Sequence, residues 1–400
     1  MNSSSVNSLD RRLRVMFLTT SMPVGGAETL LVSLVRGLDR SRFSPEIACL
    51  KERGPLGEQL AAEIPVYCRL LRHKFDLRIL LRLWRLLRSR QIDAVVTVGA
   101  GDKMFWGRLA ARLAGVPVVV SALHSTGWPD SIGRLNRLLT PLTDGFVGVA
   151  DAHAEHLVEH ERFPRAKVHT IYNGVDTDLF APRDGLASRY ELGLPPFAPV
   201  VGILAALRSE KNHELFLKGA AAIHAALPDS HFLIIGDGPE RDKIERLAAT
   251  LGISEQIHLL GSRSDVPVLL SAIDVLALTS HNEASPVSVL ESLSCGVPVV
   301  SAKVGSVPET VVHGETGLLF AAGDLEGYIS ATLEVLNDPS LREQMGSNGR
   351  QLVVETRSHT AMIRGYESLL TRLFDAKSTA QQLSGVSRSW PDSRANLGTN

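Results

Sequence analysis

The 400-residue sequence predicts an α/β protein of two domains, each a parallel sheet with helices on both faces, and three observations carry that prediction. Apolar runs of strand length alternate with helix-period segments along most of the chain, the pattern of strand–helix–strand units in a parallel sheet. The alternation is interrupted at 184–198, where Pro195 and Pro196 stand in a stretch of little periodicity. Four hundred residues also exceed what one core of ordinary size organises, so two cores are expected.

Composition bounds the class. Hydrophobic residues make up 44% and charged residues 21%, the balance of a globular chain. The formal net charge of −1 hides an asymmetry: residues 1–183 hold 25 Lys/Arg against 18 Asp/Glu, and residues 184–400 hold 17 against 25. A basic first half favours an anionic membrane surface, a lipid diphosphate or an acidic glycan as partner. Cys49, Cys68 and Cys295 are odd in number and lack C-x-x-C or metal-ligand spacing; no metal site is expected, and a reducing cytoplasm is. Arg11, Arg12 and Arg14 precede the apolar Val15–Leu18, but that run stops at Thr19 and reads as a first strand rather than a signal peptide. No apolar run approaches the roughly 20 residues that cross a bilayer, so membrane contact is expected to be peripheral, at the inner face of the plasma membrane.

Residues 1–12 are Ser/Asn-rich and are expected as a disordered leader. The first domain is expected over 13–183. Its opening strand, Arg14–Thr20, runs into Ser21-Met-Pro-Val-Gly25-Gly26-Ala-Glu28 and a helix to about Leu38; glycines at such a turn let a ligand approach a helix N-terminus. Further strands are expected at Pro45–Leu50, Val66–Leu70, Ala94–Val98, Val116–Leu123, Gly145–Val149 and Val168–Tyr172. Ligands in parallel sheets bind at the carboxyl ends of strands, which singles out His124. Between Arg69 and Arg90 the chain holds eight Lys/Arg and one acid. A helix over 76–90 with an apolar stripe of Leu77, Leu80, Leu81, Trp84 and Leu87 either packs on the sheet with its cations in water or presents a basic face to anionic lipid.

After the linker at 184–198, a second domain is expected over 199–375, its last helix a candidate to pack back on the first; 376–400 reads as a disordered tail. The strand Pro199–Leu207 ends in Arg208-Ser-Glu-Lys211, two cations where such sheets hold anions. Phe232–Ile235 runs into Gly236-Asp-Gly238-Pro-Glu240. The strand Asp274–Thr279 opens into S-H-N-E-A-S-P-V-S-V-L-E-S-L-S-C-G-V-P, a loop and a helix that ends at Gly296. Ser285 suits an N-cap and Pro286 a first helical position, which leaves the N–H groups of Val287, Ser288 and Val289 to bind a phosphate. Glu283 and Glu291, about 12 Å apart along the axis if both were helical, cannot form a paired carboxylate site. They flank a diphosphate instead, a layout that suits a nucleotide-sugar with the hexose at one end and the ribose at the other.

The stretch E-A-S-P-V-S-V-L-E-S-L-S-C-G-V-P-V-V resembles the signature of the retaining glycosyltransferases of family 4, and further motifs follow in the family's order: G-G-A-E at 25–28, N-G-V-D at 173–176, Lys211 in the diphosphate loop, G-D-G-P-E at 236–240 and G-E-T-G-L-L at 314–319. The resemblance implies the GT-B fold, two Rossmann-like domains facing across a cleft. It implies that Glu283 faces the donor sugar, Glu291 binds the ribose, Lys211 clamps the diphosphate, and His124 lies near the donor sugar. Gly25, Gly26, Gly236 and Gly238 would border the donor, and Asn173 would stand on the acceptor side. One departure concerns the second clamp: the family's arginine position is Ala206 here, so Arg208 would substitute from two residues later. Asp176-Thr-Asp178 also spells a metal-binding D-x-D, but its place in the N-G-V-D turn speaks against that reading. The expectation is therefore a metal-independent hexosyltransferase without cofactor, using a UDP-sugar first or a GDP-sugar as co-substrate, and acting on a glycan or lipid-linked acceptor in cell-surface or exopolysaccharide synthesis. No nucleic-acid motif is present. The alternatives are a nucleotide-sugar epimerase or hydrolase, which would release nucleotide without an acceptor, and a non-catalytic partner protein that keeps the fold.

Overall fold

Hydrophobic alternation is realised as two parallel sheets. The structure, a computed structural model, describes residues 11–73, 76–99, 101–124 and 133–384. Chain contacts divide it into two units: residues 1–149, 154–171 and 363–400 form the first, and 150–153 with 172–362 the second. The expected boundary at 183 lies eleven residues inside the second unit.

The first unit runs β1 (Leu13–Thr19), α1 (Gly26–Gly37), β2 (Phe43–Cys49), α2 (Gly54–Leu60), β3 (Val66–Tyr67), α3 (Arg78–Ser89), β4 (Ala94–Val98), α4 (Asp102–Leu113), β5 (Val118–Ala122), α5 (Gly133–Leu138), β6 (Gly145–Gly148), α6 (Asp151–Glu159) and β7 (Val168–Thr170). All pairings are parallel, in the order β3-β2-β1-β4-β5-β6-β7. The sheet reverses direction of growth between β1 and β4. Its central strands are buried on both faces, Val15, Phe17, Val96, Val118 and Val120 being fully enclosed, which is why they read as continuous apolar runs rather than as alternation.

α3 departs from its expected register. The buried row is Ile79, Leu83 and Leu87, spaced four apart, while Leu77 is 73% and Leu81 46% exposed. Leu80 and Trp84 are only partly buried. At the helix start the Asp76 carboxylate accepts the N–H groups of Arg72 and Arg78 and pairs with Arg82. Ile79, which the sequence reading left out of the stripe, packs with Leu83 and Leu87 in one cluster with the strand residues Met16, Leu18 and Val95.

The second unit runs α7 (Leu186–Glu191), β8 (Val200–Leu204), α8 (His213–Ala226), β9 (His231–Ile235), α9 (Arg241–Thr250), β10 (Ile257–Gly261), α10 (Val266–Ser271), β11 (Val275–Leu278), α11 (Val287–Ser294), β12 (Val299–Ala302), β13 (Gly317–Phe320), α12 (Leu325–Asn337) and α13 (Pro339–Thr356). The strand order is β10-β9-β8-β11-β12-β13, again parallel, and it reverses between β8 and β11. Three findings differ from the sequence reading. The stretch at 184–198 carries α7, whose Arg189 is buried, pairs with Asp274 at 2.8 Å and donates to Ala198 O at 2.9 Å; nearby prolines obscured its single turn and a half. G-E-T-G-L-L ends in a strand, β13, rather than a turn alone. The last helix, α14 (His359–Ser384), continues nine residues past 375; residues 385–400, and most of the expected leader, lie outside the described residues.

Candidate functional site

The switch point of the second sheet lies between β8 and β11, and ligands of open α/β sheets bind at such points, outside the carboxyl ends of the strands. The loops that follow these two strands carry Lys211 and Glu283. Lys211 Nζ donates to Glu283 Oε1 at 2.6 Å, with the two side chains 23% and 9% exposed.

Backbone ties hold this pair. Thr279 Oγ1, at the end of β11, donates to the carbonyls of Lys211 and Asn212 at 3.1 Å each. His281 N–H donates to Glu210 O at 2.9 Å. Asn212 adopts the left-handed conformation (φ 52°), which short polar side chains tolerate, and its Oδ1 caps α8 by accepting from Leu215 N–H. Beyond Glu283, Gly305 (φ +48°) lies so close that a Cβ there would stand 1.8 Å from Glu283 O. Ser306 N–H donates to the same carbonyl at 3.3 Å, and its hydroxyl donates to Ala284 O. Sequence reasoning assigned no role to Thr279, Gly305 or Ser306. The run V-G-S-V-P-E at 304–309 was visible, but its service to Glu283 depends on a contact across twenty residues.

The β8–α8 loop is held from the other side by the turn after β9. Leu207 N–H donates to Asp237 O, and Glu240 N–H donates to Leu207 O, at 3.0 Å each. A Cβ on Gly236 (φ +145°) would lie 2.0 Å from Ala205 O, and one on Gly238 2.5 Å from Leu207 O. Close backbone approach therefore accounts for both glycines, and it lets the turn after β9 pack on the loop that leads to Lys211.

The start of α11 is corrected by one residue. Pro286, not Ser285, is the N-cap, with extended ψ of 118° and no side-chain cap bond. Val289 N–H donates to Pro286 O at 3.2 Å, so Val287 and Ser288, without Val289, are left lacking intrahelical acceptors. The Ser285 carbonyl is fixed by Asn173 Nδ2 at 3.1 Å. Asn173 thus serves the loop in front of α11 within the second unit, where the resemblance implied an acceptor-side position. In the second turn of α11, no described residue hydrogen-bonds to or ion-pairs with the Glu291 carboxyl group. Solvent reaches part of this side chain, yet surrounding protein pushes its pKa up to about 8. His213, buried at the start of α8, is pulled down to about 4 by desolvation, so it is neutral near pH 7.

The structure does not bring Arg208 into this cluster. Its side chain is 64% exposed, and the ion partner it has among the described residues is Glu210, 4.0 Å away. Gly25, Gly26 and His124 belong to the first unit. Gly25 is the extended N-cap of α1, and the Glu28 carboxylate lies against it, 2.7 Å from where a Cβ on Gly25 would stand. His124 is half-buried two residues past β5. Among the described residues no group of three or more His, Cys, Asp or Glu side chains could hold a metal ion, and no helix is long and apolar enough to cross a membrane.

The pattern of residues is shared with known proteins. Residues 24–179 match the model described as Glycosyltransferase Family 4, and 187–352 the model described as Glycosyl transferases group 1. The chain is 27% identical over 367 residues to UDP-Gal:alpha-D-GlcNAc-diphosphoundecaprenol alpha-1,3-galactosyltransferase of Escherichia coli, covering 87% of this chain and 94% of that one. It is 27% identical to N-acetyl-alpha-D-glucosaminyl L-malate synthase of Bacillus anthracis, covering 74% and 78%. Among solved structures, the fold is similar to a glycosyltransferase from Rickettsia africae, at a TM-score of 0.80 and 17% identity over 91% of this chain and 99% of that one. It is also similar to Anabaena HepE in complex with UDP-glucose, at 0.78 and 21% over 94% and 100%.

Proposed function

Because the chain belongs to the family 4, group 1 glycosyltransferases and has their GT-B fold, we propose that its second unit binds a nucleotide-sugar and that the enzyme transfers the sugar, with retention and without a metal ion, to a glycan or lipid-linked acceptor of the cell envelope. The observation that supports this reading is the assembly at one switch point of Lys211, Glu283, the open N–H groups of Val287 and Ser288, and the unpartnered Glu291. Negative charge grows on the diphosphate as the C1–O bond loosens. Lys211 and the two N–H groups are placed to stabilise that charge more in the transition state than in the ground state. Glu283, held beside Lys211, would face the sugar, and Glu291 the ribose hydroxyls. Named relatives act on UDP- and GDP-linked sugars, and a UDP-sugar is the first choice of donor. These relatives are transferases, which favours transfer over epimerisation, hydrolysis or a non-catalytic role.

A thermal-shift series with UDP-, GDP- and ADP-sugars, with and without EDTA, tests the reading. A ligand confined to the folded state adds about 2.7 kcal/mol of stability at a hundred times its Kd. Stabilisation by one nucleotide class, unaffected by EDTA, is expected; stabilisation that EDTA abolishes would overturn metal independence, and none by any nucleotide-sugar would overturn the donor site. We also propose that α3 meets anionic lipid through exposed Leu77 and Leu81 with Arg78 and Arg85. Flotation with phosphatidylglycerol vesicles should then fall sharply in Leu77→Asp/Leu81→Asp.

A further inference from the structure

We propose that the carboxyl ends of β1, β2 and β3 in the first unit form an anion site for the acceptor, so that the acceptor of this enzyme carries a phosphate or diphosphate; the inference rests on the transferase reading above. Backbone hydrogen bonds draw the three strand ends together. Lys51 N–H donates to Thr20 O at 2.9 Å, Met22 N–H to Arg53 O at 3.1 Å, Arg69 N–H to Lys51 O at 2.6 Å and Leu71 N–H to Leu50 O at 2.7 Å. Arg69 turns the chain here in the left-handed conformation (φ 58°), which an arginine does not favour.

Four cations stand along this edge: Lys51, Arg53, Arg69 and Arg72. Several arginines elsewhere in the first unit pair with carboxylates, as in Arg11–Asp93, Arg36–Glu63, Arg90–Glu46 and Arg112–Asp144. Of the four strand-end cations, Arg53 alone does so among the described residues, with Glu58. Lys51, Arg69 and Arg72 are exposed, and no described carboxylate pairs with any of their side chains. Arg53 reaches Glu58 and Val66 O at 3.3 Å, while its Nε is buried without an acceptor. The nearby Asp76 is already occupied by two backbone N–H groups and Arg82, and Glu52, next to Lys51, is exposed.

Unpaired surface charge is usually solvated, but here it is gathered where parallel sheets take ligands, next to the loop that carries Gly25 and Gly26. Forked guanidinium groups match phosphate oxygens in geometry and charge, and several cations on one edge favour a multiply charged anion over a single carboxylate.

The test uses the full chain saturated with UDP, so that the second unit's anion site is filled, and titrates it with inorganic pyrophosphate and with geranyl diphosphate by calorimetry. The wild type is expected to bind both. Arg69→Gln/Arg72→Gln should weaken them five- to tenfold with its melting temperature and its UDP affinity unchanged, and Arg69→Lys/Arg72→Lys should recover part of the loss. Tighter binding of geranyl diphosphate than of pyrophosphate would point to a lipid-linked acceptor, and equal binding to a water-soluble phosphorylated one. Equal binding by wild type and the glutamine variant, or no binding by UDP-saturated protein, would overturn the inference while leaving the donor site standing; absence of UDP binding would instead overturn the transferase reading.

Discussion

Lys211 and Glu283 restrain one another, and under the proposed reading each would act in both chemistry and stability. Removing one member of a part-buried ion pair leaves the other uncompensated. Lys211→Ala should lower kcat by about 10² to 10³ and also lower Tm, whereas Lys211→Ala/Glu283→Gln should regain Tm without regaining turnover. Recovery of neither, or of both, would break the assignment. Glu291 supplies a pH signature. Its pKa is raised in the fold, so its favourable contribution is complete below the ordinary carboxylate range and is lost as pH rises towards 8. Glu291→Gln should thus be more stable than wild type at pH 8, by roughly 1–3 kcal/mol after allowance for solvent access, with the gap closing towards pH 5 in denaturant titrations. Near pH 8 the same variant should bind donor more weakly. At this scale the sequence placed Lys211 after a strand end, Glu283 in the loop before a helix and Glu291 within that helix, where the structure has them, while their roles came from the family resemblance. It misled at Pro286, since Ser285 and Pro286 both suit a helix start and the choice is made by Asn173, more than a hundred residues away.

Elements position these residues through contacts that local patterns do not encode. Gly305 is the sharpest case: Gly305→Ala must both hold a positive φ and push a methyl group into the Glu283 carbonyl. We expect Tm to fall by several degrees and nucleotide-sugar binding to weaken at least tenfold, read in one thermal-shift titration; unaltered binding would show that the Glu283 loop is not set by this contact. Asn212→Ala should cost about 0.5–2 kcal/mol through loss of the α8 cap, whereas Asn212→Gly, which tolerates the left-handed backbone, should cost less. Strand cores were legible because full burial makes them continuously apolar. The face of α3 was not, because a leucine-rich basic helix offers two overlapping stripes, and the choice between them is made by packing against the sheet.

For the molecule as a whole, both sheets, their parallel sense and the existence of two units followed from the alternation of periods. The partition of the chain between them did not. Residues of α14 from 363 onward complete the first unit: Tyr366, Leu369 and Leu370 are buried, Glu367 accepts the N–H of Asp39 at 2.7 Å, and Lys377 pairs with Asp144 at 2.8 Å. A chain ending at Met362 should therefore lose amide-exchange protection across β1–β7 while β8–β13 keep theirs. Protection retained in both sheets would show that α14 is dispensable to the first unit.

This return of the chain also sets an order of assembly during synthesis. Domains commonly fold as they leave the ribosome, amino-terminal first, but here residues from 363 onward belong to the first unit, so that unit's last segment is made only after the second unit's own residues. A nascent chain arrested before residue 363 would therefore hold every residue of the second unit while the first still lacked its closing helix.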